Sequence, residues 1–236
     1  MITLAIDTCD LRGSIVLRSE GRPVAERRHE DKDYSSWLLP AVESLLEEAG
    51  KKLRDVELFA AATGPGSFTG VRVGLCAVKA WAEVYGTAVV GVSRLEATAR
   101  LAKPSGLIAV TYDAHRGQIF GGLYERSKEE TSLIGEEMVI APVQFLAFVG
   151  ERAGHDSVRW ISLNPELVTG ATGWESQIAN GSTLQVIEVG VANSIGELAE
   201  EKAARGELTD VLSLDANYVR RSDAEIYWKG PAYRVG

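Results

Sequence analysis

The chain has 236 residues, 45% hydrophobic and 25% charged, with 25 basic against 33 acidic side chains and a net charge of −8. That length holds one large or two small cores, and the acidity argues against autonomous binding of nucleic acid, whose phosphates recruit basic surfaces. Cys9 and Cys76 are far apart and form no CxxC motif, which excludes a disulfide scaffold and points to a reducing compartment.

Asp7 interrupts the short apolar start before a signal-peptide core can form. No run approaches the roughly 20 apolar residues of a membrane helix. A cytoplasmic protein without membrane contact is expected.

In chain order, Met1 to Ile6 predicts a strand that ends at Asp7-Thr8, Gly13 to Leu17 a second, and Val24 to His29 a third after a turn at Glu20-Gly21. A helix follows, with Ser35 or Ser36 as N-cap, Pro40 tolerable in its first turn and Gly50 as its stop. Leu38, Leu39, Val42, Leu45, Leu46 and Ala49 make its apolar face, mainly opposite Glu43, Glu47 and Glu48.

Val56 to Ala62 predicts a buried strand, and Val71 to Tyr85 a helix on which Val71, Leu75, Val78, Ala82 and Tyr85 recur at helical spacing. Between them lies Thr63-Gly64-Pro65-Gly66-Ser67-Phe68-Thr69-Gly70, with Ser67 or Thr69 as helix cap. A glycine turn before a helix suits an anion, so Gly64, Gly66, Ser67 and Gly70 are candidate nucleotide- or anion-binding positions. The specific phosphate motifs fail. Val71-Arg72 replaces the Lys-Ser/Thr of a Walker A loop, Thr69 stands where the dinucleotide fingerprint needs glycine, and the next strand ends in Ser93 rather than an acid. A tight turn that seats a helix against a sheet or a partner is the favoured reading.

A strand at Ala88 to Val92 and a helix from Leu95 to Leu101 complete the order βββαβαβ plus a helix, a ribonuclease-H-like unit. Lys103-Pro104-Ser105-Gly106 reads as a linker, dividing the chain into residues 1–103 and 104–236. Beyond it, strands at Leu107 to Tyr112 and Gln118 to Tyr124 flank Asp113-Ala114-His115-Arg116-Gly117. Arg12-Gly13-Ser14-Ile15 returns as Arg116-Gly117-Gln118-Ile119, which suggests two tandem α/β units. The second is reduced: helices at Pro142 to Val149, Trp174 to Ala179 and Ile195 to Arg205, the last capped by Ser194, with one strand at Val158 to Ser162. Its last segment is a candidate to pack back on the first unit. Arg220, Arg221, Lys229 and Arg234 read as a solvated basic tail.

His29, His115 and His155 have no second ligand at metal spacing, so no metal site is expected. Gly66-Ser67-Phe68-Thr69 is not a Gly-x-Ser-x-Gly nucleophile elbow, and no catalytic residue is assigned.

The run Gly64-Pro65-Gly66-Ser67-Phe68-Thr69-Gly70-Val71-Arg72-Val73-Gly74 resembles the signature of the TsaB (YeaZ) family. Tyr34-Ser35-Ser36-Trp37-Leu38-Leu39-Pro40 resembles that family's His-Ser-x-x-Leu-Leu-Pro with Tyr34 for His. Asp113-Ala114-His115-Arg116 and Leu214 to Arg220 resemble two further family stretches, the latter with Asn217 in place of Pro. The resemblance implies two tandem actin-like lobes, the second reduced. It also implies a role as non-catalytic activator of TsaD, which transfers threonylcarbamoyl to the adenosine beside the anticodon of tRNAs reading codons that start with A. A TsaE-like ATPase is a further implied partner, a homodimer forms in isolation, and tRNA is reached only through the complex. No cofactor is held by the chain, and ATP is used by the partner complex.

The family pairs the two helices after Tyr34 and the glycine turn with those of a second subunit. The implied interface comprises Ser35, Trp37, Leu38, Leu39, Pro40, Phe68, Thr69, Val71, Arg72 and Leu75, and a charge at Leu38 or Val71 is expected to break it. In the actin-like superfamily the strand ends at Asp7-Thr8 and Asp113 meet nucleotide phosphate, so Asp7, Thr8 and Asp113 are candidate nucleotide positions. Neither acid is followed by glycine, which favours turn capping. The alternative is a stand-alone actin-like ATPase or small-molecule kinase in which these acids and the glycine turn converge.

Overall fold

The computed structural model describes residues 1–30, 33–102, 105–127, 130–187, 190–217 and 219. Lys103-Pro104 of the expected linker, Tyr218 and Arg220 of the C-terminal motif, and the basic residues Arg221, Lys229 and Arg234 lie outside the described residues.

Strands β1 (Ile2–Asp7), β2 (Gly13–Ser19) and β3 (Arg22–His29) pair antiparallel in sequence. Strands β4 (Leu58–Ala62) and β5 (Ala88–Val92) add in parallel on the other side of β1, giving the order β3-β2-β1-β4-β5. Helix α1 (Tyr34–Glu48) carries the chain from β3 towards β4, and α2 (Phe68–Tyr85) is the crossover that a parallel β4–β5 pair requires. Leu4, Ala5 and Ile6 in β1 and Phe59, Ala60 and Ala61 in β4 are all buried, as continuous apolar strands covered on both faces must be.

The second sheet repeats the plan. After the short α3 (Arg94–Ala99), β6 (Gly106–His115) and β7 (Gln118–Arg126) form an antiparallel hairpin. The small β8 (Thr131–Leu133) and β9 (Met138–Ile140) both pair with β7. On the far side of β6, β10 (Val158–Ser162) and β11 (Thr183–Val186) add in parallel, for the order β11-β10-β6-β7-β8. Helix α4 (Pro142–Ala153) precedes β10, and the short α5 (Glu166–Thr169) and α6 (Trp174–Ala179) separate β10 from β11. Each sheet thus has the ribonuclease-H-like arrangement of an antiparallel start and a parallel finish.

The sheets exchange helices. Leu95 and Ala99 of α3 pack with Ile108, Val110, Tyr112 and Tyr124 of the second sheet. Ile195, Leu198 and Ala199 of the last helix, α7 (Ala192–Ala204), pack into the core of the first, against β1, β2, β4 and β5.

Two caps differ from expectation. Asp33, not Ser35 or Ser36, caps α1 by accepting from the Ser36 N–H at 3.3 Å, while both serine hydroxyls donate to its carboxylate. Ser194 lies inside α7, whose first N–H, on Ala192, is met by Ser14 Oγ of β2 at 3.1 Å. A partner almost the whole chain away in sequence does the work that a local cap does elsewhere.

α7 is bolted to β2 through Arg18, which is 2% exposed. Its guanidinium meets Glu200 with two parallel contacts of 3.1 Å, donates to the Gly21 carbonyl at 2.8 Å and also to Asn193. Gly196 leaves room for the arginine stem, since a Cβ there would stand 2.3 Å from Arg18 Cδ. Removing Glu200 leaves the buried guanidinium only the longer 3.7 Å contact with Glu197 as its ion pair among the described residues. Glu200→Ala is therefore expected to lower the free energy of unfolding in urea by about 3 kcal/mol, and a change below about 0.5 kcal/mol would show the pair to be compensated.

Candidate interaction site at the glycine-rich turn

The glycine turn rests on the connection between β1 and β2. The Ser67 N–H donates to the Cys9 carbonyl at 2.6 Å, and Thr8 Oγ1 donates to the Gly70 carbonyl at 2.7 Å. Ser67 Oγ caps α2 by accepting from the Gly70 N–H at 3.3 Å. A Cβ on Gly66 would fall 2.1 Å from the Cys9 carbonyl oxygen, one on Gly70 2.1 Å from that of Thr8, and one on Gly74 2.6 Å from Thr8 Oγ1. Gly66 and Gly70 permit close approach of the chain's own backbone, and Gly74 that of the Thr8 side chain. Gly64 has φ +100 and its carbonyl accepts from the Arg94 N–H at 2.7 Å.

Asp7 is wholly buried at the carboxyl end of β1. Its Oδ1 accepts from the Cys9 N–H at 3.0 Å, and its Oδ2 from Arg94 Nε at 3.2 Å and the Val191 N–H at 3.4 Å. Arg94, 1% exposed, also reaches Asp10 Oδ2 at 3.4 Å and lies 4.3 Å from the centre of the Tyr112 ring. The Tyr112 hydroxyl hydrogen-bonds Thr98, and the Tyr34 hydroxyl donates to the Asp10 carbonyl. The starts of α1, α2, α3 and α7 therefore converge on residues 7–14, with two carboxylates at their positive ends.

Asp113 sits at the matching place in the second sheet, with its side chain 34% exposed. Its Oδ1 accepts from the His115 N–H at 2.7 Å, the same two-residue reach that Asp7 makes to Cys9, and its own N–H donates to Asn164 Oδ1 at 3.3 Å. His115, Arg116 and Gly117 follow with positive φ, which closes the β6–β7 hairpin. Among the described residues no three His, Cys, Asp or Glu side chains are grouped to hold a metal ion.

The named helix residues divide into three sets by exposure. Ser35, Leu39, Pro40, Phe68, Thr69 and Arg72 are exposed, Leu39 at 59% and Phe68 at 44%, and the Arg72 guanidinium lies 3.6 Å above the Phe68 ring. Trp37 is half-buried and stacks on His29 with ring centres 4.7 Å apart. Leu38, Val71 and Leu75 are only 2–4% exposed and belong to the first sheet's core. The stripe Leu38, Val42, Leu45 and the stripe Val71, Leu75, Val78 hold α1 and α2 to the sheet, so Leu38, Val71 and Leu75, three members of the implied interface, lie in the chain's own core. A charge at Leu38 or Val71 would strike that core. Sequence reasoning missed Arg94, although an arginine one residue past a buried strand and opening a short, largely buried helix is a signal for it.

Gly70→Ala must displace the Thr8 carbonyl and is expected to destabilise the protein by about 2 kcal/mol or more in chemical denaturation. Stability should also fall at alkaline pH. Burial pushes the Tyr112 hydroxyl from 10.0 up to about 12, against the opposing pull of Arg94, and burial together with Asp7 pushes Tyr34 upward as well. The unfolded chain loses these protons near pH 10 while the folded one still holds them. Each such group then removes up to about 1.4 kcal/mol per pH unit as the pH rises through that window. Urea unfolding across it checks this, with Tyr112→Phe expected to flatten the fall.

A family described as TsaD, tRNA N6-adenosine threonylcarbamoyltransferase, matches residues 25–205. The chain is 29% identical over 236 residues to the tRNA threonylcarbamoyladenosine biosynthesis protein TsaB of Bacillus subtilis, covering 97% of this chain and 98% of that one. It is 31% identical over 185 residues to TsaB of Escherichia coli, covering 75% and 73%. The solved structure of YeaZ from Pseudomonas aeruginosa superposes with a TM-score of 0.72 at 28% identity, over 92% of this chain and 99% of that one. The two sheets and their helices are thus the expected two-lobe actin-like fold. The chain belongs to the TsaB (YeaZ) family of tRNA threonylcarbamoyladenosine biosynthesis proteins.

Proposed function

We propose that this chain is the non-catalytic partner and activator of a TsaD-like enzyme in threonylcarbamoyl transfer to the adenosine beside the anticodon of tRNAs reading codons that start with A. The match to TsaB over nearly the whole of both chains carries this reading. The docking face is the exposed side of the α1 and α2 starts: Ser35, Leu39, Pro40, Phe68, Thr69 and Arg72, with Trp37 at its margin. Its apolar and aromatic side chains with one arginine suit an interface core.

The same face is self-complementary in isolation and gives a homodimer. A TsaE-like ATPase joins the complex and consumes the ATP, tRNA is met only there, and the setting is the cytoplasm. The units 1–103 and 104–236 act as one scaffold because α3 and α7 are exchanged between their sheets. Asp7, Thr8, Gly64, Gly66, Ser67 and Gly70 serve packing rather than nucleotide. In support, the Asp7 carboxylate is paired with Arg94, and the chain's own backbone fills the space beside the glycines. Asp113 serves the hairpin turn.

The test compares tRNA modification and ATP hydrolysis by this chain, by the TsaD-like protein, and by the two with the TsaE-like ATPase. Modification is expected only in the mixture, with co-elution of the partners. Phe68→Glu and Leu39→Glu should each weaken association about tenfold or more while leaving the far-UV circular dichroism unchanged. Robust ATP turnover by this chain alone would replace this reading with that of a stand-alone actin-like ATPase.

A further inference from the structure

Open α/β sheets take ligands in the crevice outside the carboxyl ends of their parallel strands. In the first sheet those ends are Asp7 of β1, Ala62 of β4 leading into Thr63-Gly64, and Val92 of β5 leading into Ser93-Arg94. Here the Arg94 side chain enters that crevice and pairs with the acid at the end of β1.

Arg94 holds both walls of the crevice. Its Nε meets Asp7, its Nη1 meets Asp10, and its own N–H meets the Gly64 carbonyl. One bond further on, Asp7 fixes the Cys9 N–H, and the Cys9 carbonyl receives the Ser67 N–H. Ser67 is the cap of α2, Phe68 and Thr69 are in its first turn, and Arg72 opens the second. On the other side, the Asp10 carbonyl receives the Tyr34 hydroxyl at the first residue of α1, four and five residues before Leu38 and Leu39. Two or three hydrogen bonds therefore separate one buried guanidinium from both halves of the exposed face.

We propose that Arg94 is a positioning residue for that docking face: its guanidinium, spanning Asp7 and Asp10, fixes the Asp7–Asp10 turn and through it the first turns of α1 and α2. This rests on the docking face of the preceding subsection. Arg94 itself is buried and touches no partner. It acts by keeping Phe68, Thr69, Arg72 and Leu39 in one register, which reduces the ordering that association must otherwise impose. The planar fork matters, because an ammonium offers a point charge and cannot reach two acids in fixed geometry.

The test uses the full chain and three variants, Arg94→Ala, Arg94→Lys and Glu200→Ala. Glu200 braces α7 about two turns beyond its start and controls for lost stability. Two quantities are read at matched folded fraction: the dissociation constant for the TsaD-like protein, and hydrogen exchange of the amides of residues 64–72 relative to those of β4. Arg94→Ala is expected to weaken association about tenfold and to speed exchange in the turn but not in β4, with added guanidinium ion at sub-denaturing concentration restoring both. Arg94→Lys falls between it and the wild type, and Glu200→Ala leaves association unchanged.

Wild-type affinity and wild-type turn exchange in Arg94→Ala would overturn the proposal. If that variant does not fold, Arg94→Lys decides, and wild-type values for it would overturn the role of the fork. A weakening equal to that of Glu200→Ala, without faster turn exchange, would reduce Arg94 to a stability residue. Should the wild-type chain itself fail to associate, the partner reading falls, while exchange in the turn still decides whether Arg94 positions it.

Discussion

The structure depends on a short piece of backbone, residues 7–10, being held still between two sheets. The ion pair of Asp7 with Arg94 does this under almost complete burial. Taking two charges out of water is unfavourable, and their attraction compensates only when the remaining polar valences are filled. Here they are. Asp7 accepts from two backbone N–H groups besides the arginine, and Arg94 has a second acid and an aromatic face. What the pair adds is specificity more than stability, since an apolar replacement would fill the space without dictating how four helix starts meet there.

The second constraint is the exchange of helices. With α3 on the second sheet and α7 on the first, the lobes are tied by charged contacts between the exchanged pieces. Lys202 of α7 pairs with Glu96 of α3 at 2.8 Å, and Arg100 beside α3 pairs with Glu201. Arg126 of β7 donates to the carbonyls of Arg100 and Ala102. Glu137 accepts from Tyr124 at 2.6 Å, from Ser93 and from Asn217 at 2.7 Å, joining the second sheet, the start of α3 and the end of the described chain. Domain closure needs an interface that yields. One stitched in this way favours a fixed relation between lobes, and a fixed relation suits a protein whose proposed task is to present a surface.

The order of elements in the first lobe was legible because β1, β4 and β5 are largely apolar runs, the turn at Glu20-Gly21 separates β2 from β3, and its two long helices carry clear 3.6-residue stripes. The second lobe was less so: β8, β9 and β11 are three or four residues long, too short for any period to register. The misplaced caps share a cause. Asp33 competes with two serines at adjacent positions, and the start of α7 is satisfied by Ser14, so neither local pattern could decide. Of the interface that the resemblance implies, Leu38, Val71 and Leu75 lie in the chain's own core. Periodicity reports that one face is buried and is silent on what buries it. The exposed neighbours Leu39 and Phe68 could be separated from them only by knowing where the sheet lies.

The glycine turn shows the deeper limit. A glycine-rich strand-to-helix turn is written the same way whether phosphate or another piece of backbone comes close to it, because both demand the absence of a Cβ. What separates the cases lies elsewhere in the chain. Thr8 and Cys9 place two carbonyl oxygens where side chains at Gly70 and Gly66 would stand, and Arg94 places a cation against the one buried acid nearby. The Cys9 carbonyl takes the Ser67 N–H and Ser67 Oγ takes the Gly70 N–H, two donors that an anion at this turn would otherwise use. Gly66, Gly70 and Gly74 record how tightly α2 is joined to the connection between β1 and β2. A turn so joined cannot shift without moving Phe68 and Arg72 with it, which makes a packing motif the natural seat of a docking surface.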